Sequence, residues 1–173
     1  MRTHGAALLL WCSCCDAAAP VSASTPEDGG CAAQRPSSSA FENDLVAVVN
    51  RYRSTGVTCD GAPAPQVTPL RVSPTLDCAA RTHADDMARK GFFAHVNPGA
   101  EDPAARAARL TYPGSVGENL AWGQETAEKV VSAWLASPGH CSNIANPAYL
   151  AVGSAYVAHG YQAPIWVQVY GTR

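Results

Sequence analysis

The 173 residues are 47% hydrophobic and 15% charged, which is enough apolar material for one domain with a real core. The formal net charge of -2 and the absence of any Lys/Arg block exclude a basic nucleic-acid surface and electrostatic docking on an anionic membrane. No repeat at a solenoid or propeller period is visible.

Residues 1–19 read as an export signal, with a weakly basic start, an apolar run from Ala6 to Trp11, then small residues and cysteines. The run is far shorter than the roughly 20 residues a membrane-spanning helix needs. Two outcomes stay open. Cys12, Cys14 and Cys15 resemble a bacterial lipoprotein signal, with Cys14 or Cys15 as the lipidated residue, although Trp11 and Cys12 are poor residues upstream of such a cut. The other outcome is plain secretion through cleavage after the Ala17 to Ala19 run. Either way the chain is exported, to the extracellular space or the cell envelope, and touches a membrane only through a lipid anchor. Residues 16–39 are Ala, Ser, Pro and Gly with almost no large apolar side chain, so they read as a flexible tether. The domain occupies residues 40–173.

Ser39 with Glu42 makes a capping box, and Phe41, Leu45, Val48, Val49 and Tyr52 follow at helical spacing until Gly56. "CDGAPAPQVTPL" reads as a loop. Ser73 and Pro74 then occupy the N-cap and first position of a second helix, whose inward face is Leu76, Ala80, His83 and Met87. "FFAHVNPGAEDP" leaves helical periodicity, and "AARAARL" offers a short helix. Thr126 caps a further helix carrying Ala127, Val130, Val131, Trp134 and Leu135, which "SPGHCSNIANP" breaks, with room for one more turn. The period then changes to 2 in residues 152–158 and 165–170, which read as an antiparallel hairpin, with "GENLAW" as a third strand. Helices first and strands last, without strand-helix alternation, predict an α+β fold.

Few residues carry chemistry. His83, His95, His140 and Glu118 stand among apolar or small neighbours, with Asp85 and Asp86 on the second helix. No pair of histidines flanks a glutamate at metalloprotease spacing, so a metal site would be assembled from separate segments. Imidazole nitrogen with carboxylate oxygen suits Zn²⁺, which makes His95, Glu118 and His140 one candidate set. Taken alone, His83 reads better as a hydrogen-bonded core histidine, and Glu118 as an acceptor of backbone amides. A buried carboxylate requires some partner in either case. His140 and Cys141 are sequence neighbours, a poor geometry for a thiol-imidazole pair, and an exported cysteine is more often bridged. The domain holds Cys59, Cys78 and Cys141, an odd number, so one is unpaired or bonds Cys31.

The segments "LRVSPTLDCAARTHADDMARKGFFAHVNP", "YPGSVGENLAWGQETAEKVVSAWLASPGHCSNIANPAYLAVGSAY" and "IWVQVYG", in this order, resemble the bacterial branch of the CAP superfamily of cysteine-rich secretory, antigen 5 and pathogenesis-related proteins, also called SCP-like. The resemblance covers residues 41–173. It implies an α-β-α sandwich, a small antiparallel sheet between helical layers, with an exposed cleft. In many eukaryotic members that cleft holds two His and two Glu that can take a divalent cation. Carried over, His95 and Glu118 match the first pair. The second Glu falls on Ser137 and the second His on Ile165, so His140 of "SPGH" is the substitute, with His83 behind. This leaves two readings, a weak water-completed cation site such as for Zn²⁺, or a purely hydrogen-bonded cluster. The resemblance also implies a disulfide from Cys59 to Cys141, which would fix His140 and leave Cys78 odd. Trp122 and Tyr112 either rim the cleft or pack locally.

Three functional classes follow. The first is an exported module acting mainly by binding, its cleft holding a cation or a small lipidic or peptidic envelope ligand. The second is a hydrolase with Glu118 as general base and His95 or His140 polarising the substrate. The third is a structural surface protein without ligand. Binding is favoured because no activated nucleophile or complete ligand set is visible. No dimer interface is legible, so a monomer is expected.

Overall fold

The computed structural model describes Met1 and residues 39–173; the export signal, most of the tether, Cys14, Cys15 and Cys31 lie outside the described residues. The first helix, α1 (Ala40–Thr55), starts at the expected capping box: the Ser39 hydroxyl accepts from the Glu42 amide, and Glu42 Oε2 accepts from the Ser39 amide at 2.8 Å. Its buried face differs from the apolar stripe. Glu42, Leu45, Val48, Val49 and Arg53 point inward, whereas Phe41 is 42% exposed and stacks on Tyr156. Counting apolar residues alone misses a helix whose inward stripe begins and ends on a charge.

Both buried charges have work that explains their position. Arg53 donates to the backbone oxygens of Thr68, Ile144, Asn146 and Tyr149 at 2.7–3.0 Å, so one guanidinium gathers the loop before the sheet and the end of the last helix. Glu42 forms a salt bridge with Arg81 and accepts the Tyr156 amide.

The expected loop after α1 contains a hairpin. Strands β1 (Val57–Cys59) and β2 (Ala62–Ala64) pair around Asp60 and Gly61, which take φ of 53° and 76°. Positive φ at both central residues is the type I′ geometry that Asp-Gly favours. Next come β3 (Arg71–Val72) and α2 (Pro74–Lys90), capped by the Ser73 hydroxyl and closed by left-handed Gly91. The short helix α3 (Pro103–Arg109) and strand β4 (Val116–Trp122) follow, then α4 (Ala127–Leu135) with Thr126 as its cap. "SPGHCSNIANP" supplies more than a turn: α5 (Pro138–Ala145) is a separate helix. The hairpin β5 (Ala151–Val157) and β6 (Ile165–Gly171) ends the fold.

The main sheet has the order β3-β5-β6-β4, antiparallel except for β3, which runs parallel to β5. Leu120, Ala155, Val167 and Val169 face Leu76, Ala80, Ala84 and Met87 of α2. Val152, Trp166 and Tyr170 face Leu45, Val49, Val131 and Ile144 of α1, α4 and α5. The result is an α-β-α sandwich. Its tightest contact is at Gly153, where a Cβ would fall 1.9 Å from the Leu76 carbonyl carbon, so α2 lies directly on β5. Beyond the two residues of β3, the edge of β5 is closed by carboxylates: Asp77 Oδ1 accepts the Ser154 amide at 2.8 Å, and Glu42 the Tyr156 amide. Edge amides that would otherwise recruit a foreign strand are thereby used up.

Arg53→Met should leave these carbonyl oxygens without donors inside the protein. The expected loss is about 3 kcal/mol in urea unfolding, and a loss below about 1 kcal/mol would sink the assignment of Arg53 as an internal clamp.

Candidate functional site

The chemistry gathers at the outer edge of the sheet. β4 pairs with β6 on one side only, and its other side is covered by side chains: Asn143 of α5 donates to the Glu118 carbonyl at 3.2 Å, and Trp134 of α4 donates to the Leu120 carbonyl at 2.9 Å. Alternation along the strand puts the Glu118 side chain on the α2 face with Leu120, and Asn119 on the α5 face.

Glu118 is met by three segments. Its Oε1 lies 2.9 Å from His95 Nδ1, in the loop after α2, and its Oε2 accepts from Arg106 of α3 at 2.7 Å. His83 of α2 stands behind, with Nε2 at 3.8 Å from Oε1. The carboxylate side chain is 1% exposed and the guanidinium 2%, so this is an ion pair shut away from water, whereas the His95 ring is 50% exposed. Arg106 also donates to the carbonyls of His95 and Glu101, both at 2.9 Å. One guanidinium thus holds the carboxylate and the backbone of the histidine that touches it.

The hydrogen positions follow from what the partners can do. A carboxylate only accepts, so His95 Nδ1 carries the hydrogen of that bond. The Ala94 carbonyl only accepts, so His83 Nε2 donates to it at 2.8 Å, and the buried Nδ1 of His83 has no partner. Burial pushes the His83 pKa down, against the pull of Glu118, and His83 is the hydrogen-bonded core histidine that the sequence suggested.

His140 flanks the same edge. Asn119 Nδ2 donates to its carbonyl at 3.1 Å, and its ring lies tilted against Trp134. Burial lowers its pKa, and the neighbouring His95 lowers it further. Behind them a buried chain runs from Asn143 to Asn119, Tyr170, Gln168 and Ser154. The buried Tyr170 hydroxyl donates to Gln168 Oε1, and burial raises its pKa.

The Cys59–Cys141 disulfide is present, with Cα atoms 5.6 Å apart, and ties the β1–β2 hairpin to α5 one residue beyond His140. Cys78 is disulfide-bonded too, so of the two outcomes open for the odd domain cysteine it is not the unpaired one. Tyr112 does not rim a cleft, since its hydroxyl donates to the Arg173 carbonyl and packs the chain end. Trp122, at the end of β4, is exposed.

His95, Glu118 and His140 do not assemble as a cation cage. Both Glu118 oxygens are engaged, His83 Nε2 is committed to Ala94, and among the described residues no three His, Cys, Asp or Glu side chains form a group that could hold a metal ion. Arg106 adds a full positive charge where such an ion would be needed. As placed, this donor set does not fit a divalent cation. Arg106 itself lay unread within "AARAARL". The signal for it was indirect: a buried carboxylate demands a cation.

The family model for the cysteine-rich secretory protein (CAP) family matches residues 46–170. The chain belongs to this family. The CAP domain is similar to YkwD of Bacillus subtilis, an uncharacterized protein, at 34% identity over 149 residues, covering 84% of this chain and 53% of YkwD. The chain thus spans about half the length of that relative. In fold it is similar to an extracellular SCP-domain protein of Bacillus anthracis, with a TM-score of 0.65 at 20% identity over 77% of this chain and 40% of that one. It is equally similar to an outer surface protein of Borrelia burgdorferi, with a TM-score of 0.65 at 22% identity over 75% of this chain and 90% of the other.

Two outcomes test this geometry. A histidine whose folded pKa lies below its unfolded value binds its proton later than the unfolded chain does, so stability is full above about pH 6.5 and falls as pH drops from there. Urea unfolding from pH 8 to 5 should show that decline, with a shallower slope in His83→Gln. Removing the bridge in the Cys59→Ser/Cys141→Ser protein should cost about 2–4 kcal/mol and shift the His140 ring resonances more than those of His95. Equal movement of both rings would contradict the separate anchoring of the two sides.

Proposed function

We propose that this CAP domain is exported and acts as a binding module, presenting His95 and His140 at the edge of the sheet to a small ligand of the cell envelope. The observation that carries this reading is the burial of Glu118 with each of its oxygens already engaged. A general base needs a free lone pair aimed at its substrate, but both oxygens of this carboxylate already accept from Arg106 and His95, and its side chain is buried. Glu118 therefore orients His95, and the half-exposed ring is the group left to meet a ligand.

Export is supported by the disulfides, which persist in oxidising compartments, and by the extracellular and outer-surface descriptions of the structural relatives. Residues 1–19 would direct export, with Cys14 or Cys15 available for a lipid anchor. No described helix is long and apolar enough to cross a membrane.

The test is NMR titration of the histidine rings of the exported protein with soluble peptidoglycan fragments, short peptides and anionic lipid vesicles. At least one probe should shift His95 and His140 together and saturably, and the effect should vanish in His95→Ala. If instead a probe is hydrolysed, and Glu118→Gln abolishes turnover without lowering the melting temperature, Glu118 is a base and the binding reading fails.

A further inference from the structure

The residue that answers the charge of Glu118 has no assigned role, yet it makes the closest contact in the site. Arg106 Nη2 donates to Oε2 at 2.7 Å, and Nη1 donates to the carbonyls of His95 and Glu101 at 2.9 Å. The guanidinium cannot swing away without leaving those carbonyls and a buried carboxylate unsatisfied. Its charge is permanent at any physiological pH.

A divalent cation competing for this place meets two obstacles. Bound to Oε2 at the usual 2.0–2.2 Å, it would lie within about 5 Å of the guanidinium nitrogen, a close approach of like charges in a water-poor setting. Bound to Oε1, it would displace the Nδ1–H of His95, and the ring would have to turn over to offer a lone pair. The nitrogen of His83 that faces Glu118, Nε2, cannot assist without breaking its bond to the Ala94 carbonyl.

We propose that Arg106 is the resident cation of this cleft: its guanidinium takes the place beside Glu118 that a divalent ion would fill, and thereby keeps such ions out. The positive charge is carried by the chain itself. The site then stays assembled whatever the metal content of its surroundings, and His95 keeps its bond to Glu118. This inference stands apart from the binding reading, since it concerns what occupies the inner side of His95 and not what meets its outer side.

The experiment is thermal unfolding of the exported protein, with and without excess Zn²⁺, for wild type, Arg106→Lys, Arg106→Gln and Arg106→Gln/His95→Ala. Wild type and Arg106→Lys should respond by less than about 1 °C. Arg106→Gln should melt lower and be raised by about 5 °C or more when Zn²⁺ is present at a hundredfold excess over its dissociation constant. That rescue should disappear in the double variant, which separates the cleft from adventitious binding at other histidines. An Arg106→Gln protein that folds but ignores Zn²⁺ would show that the guanidinium is not what excludes the ion. Calorimetric titration of wild type and His95→Ala with Zn²⁺ keeps the proposal testable should Arg106→Gln not fold. Saturable uptake by wild type that is lost in His95→Ala would overturn it, and equal, non-saturating heats would uphold it.

Discussion

The ion pair of Arg106 with Glu118 lies where α3, the loop carrying His95 and strand β4 meet. Neither partner is tolerable alone. A carboxylate or guanidinium excluded from water is costly unless its charge and its hydrogen-bonding positions are both answered. Here they largely are: the carboxylate accepts from Arg106 and His95, and the guanidinium reaches two backbone carbonyls besides. The pair therefore dictates where the His95 loop closes, because Arg106 grips the carbonyl of His95 while Glu118 grips its ring. The half-exposed imidazole of this CAP domain is held from two directions by buried charge.

The same device recurs through the fold in other forms. Arg53 is buried without a carboxylate and makes its bonds to backbone oxygens, so it joins segments far apart in sequence. Glu42 and Asp77 close the free edge of β5, and Asn143 and Trp134 close that of β4. A sheet this small has little strand to spare for pairing, and polar side chains from the helices complete its hydrogen bonds. Edges sealed in this way also hold the helices at fixed heights along the sheet. The disulfide acts on other segments than Arg106 does, holding α5 and with it His140.

Much of this was legible in the sequence. Caps at Ser39, Ser73 and Thr126, the apolar faces of α2 and α4 and the period-2 terminal strands all report local preferences, which a linear pattern encodes directly. The Asp-Gly hairpin was equally local but was hidden by the prolines around it. The pairing of His95 with Glu118 and of Cys59 with Cys141 came through the ordered motifs of the CAP family, which carry tertiary information that periodicity does not.

Taken alone, then, the sequence determined most of the elements, their order and most of the groups able to do chemistry, because helix caps, turn geometry and apolar spacing act over a few residues. Only the tertiary structure decided which charges neutralise one another. Arg106 and Glu118 are 12 positions apart, and Arg53 and Tyr149 are 96. Nothing local brings such groups together. Their meeting depends on how the helices pack on the sheet, and the electrostatic consequences of burial arise only once that packing has removed the water.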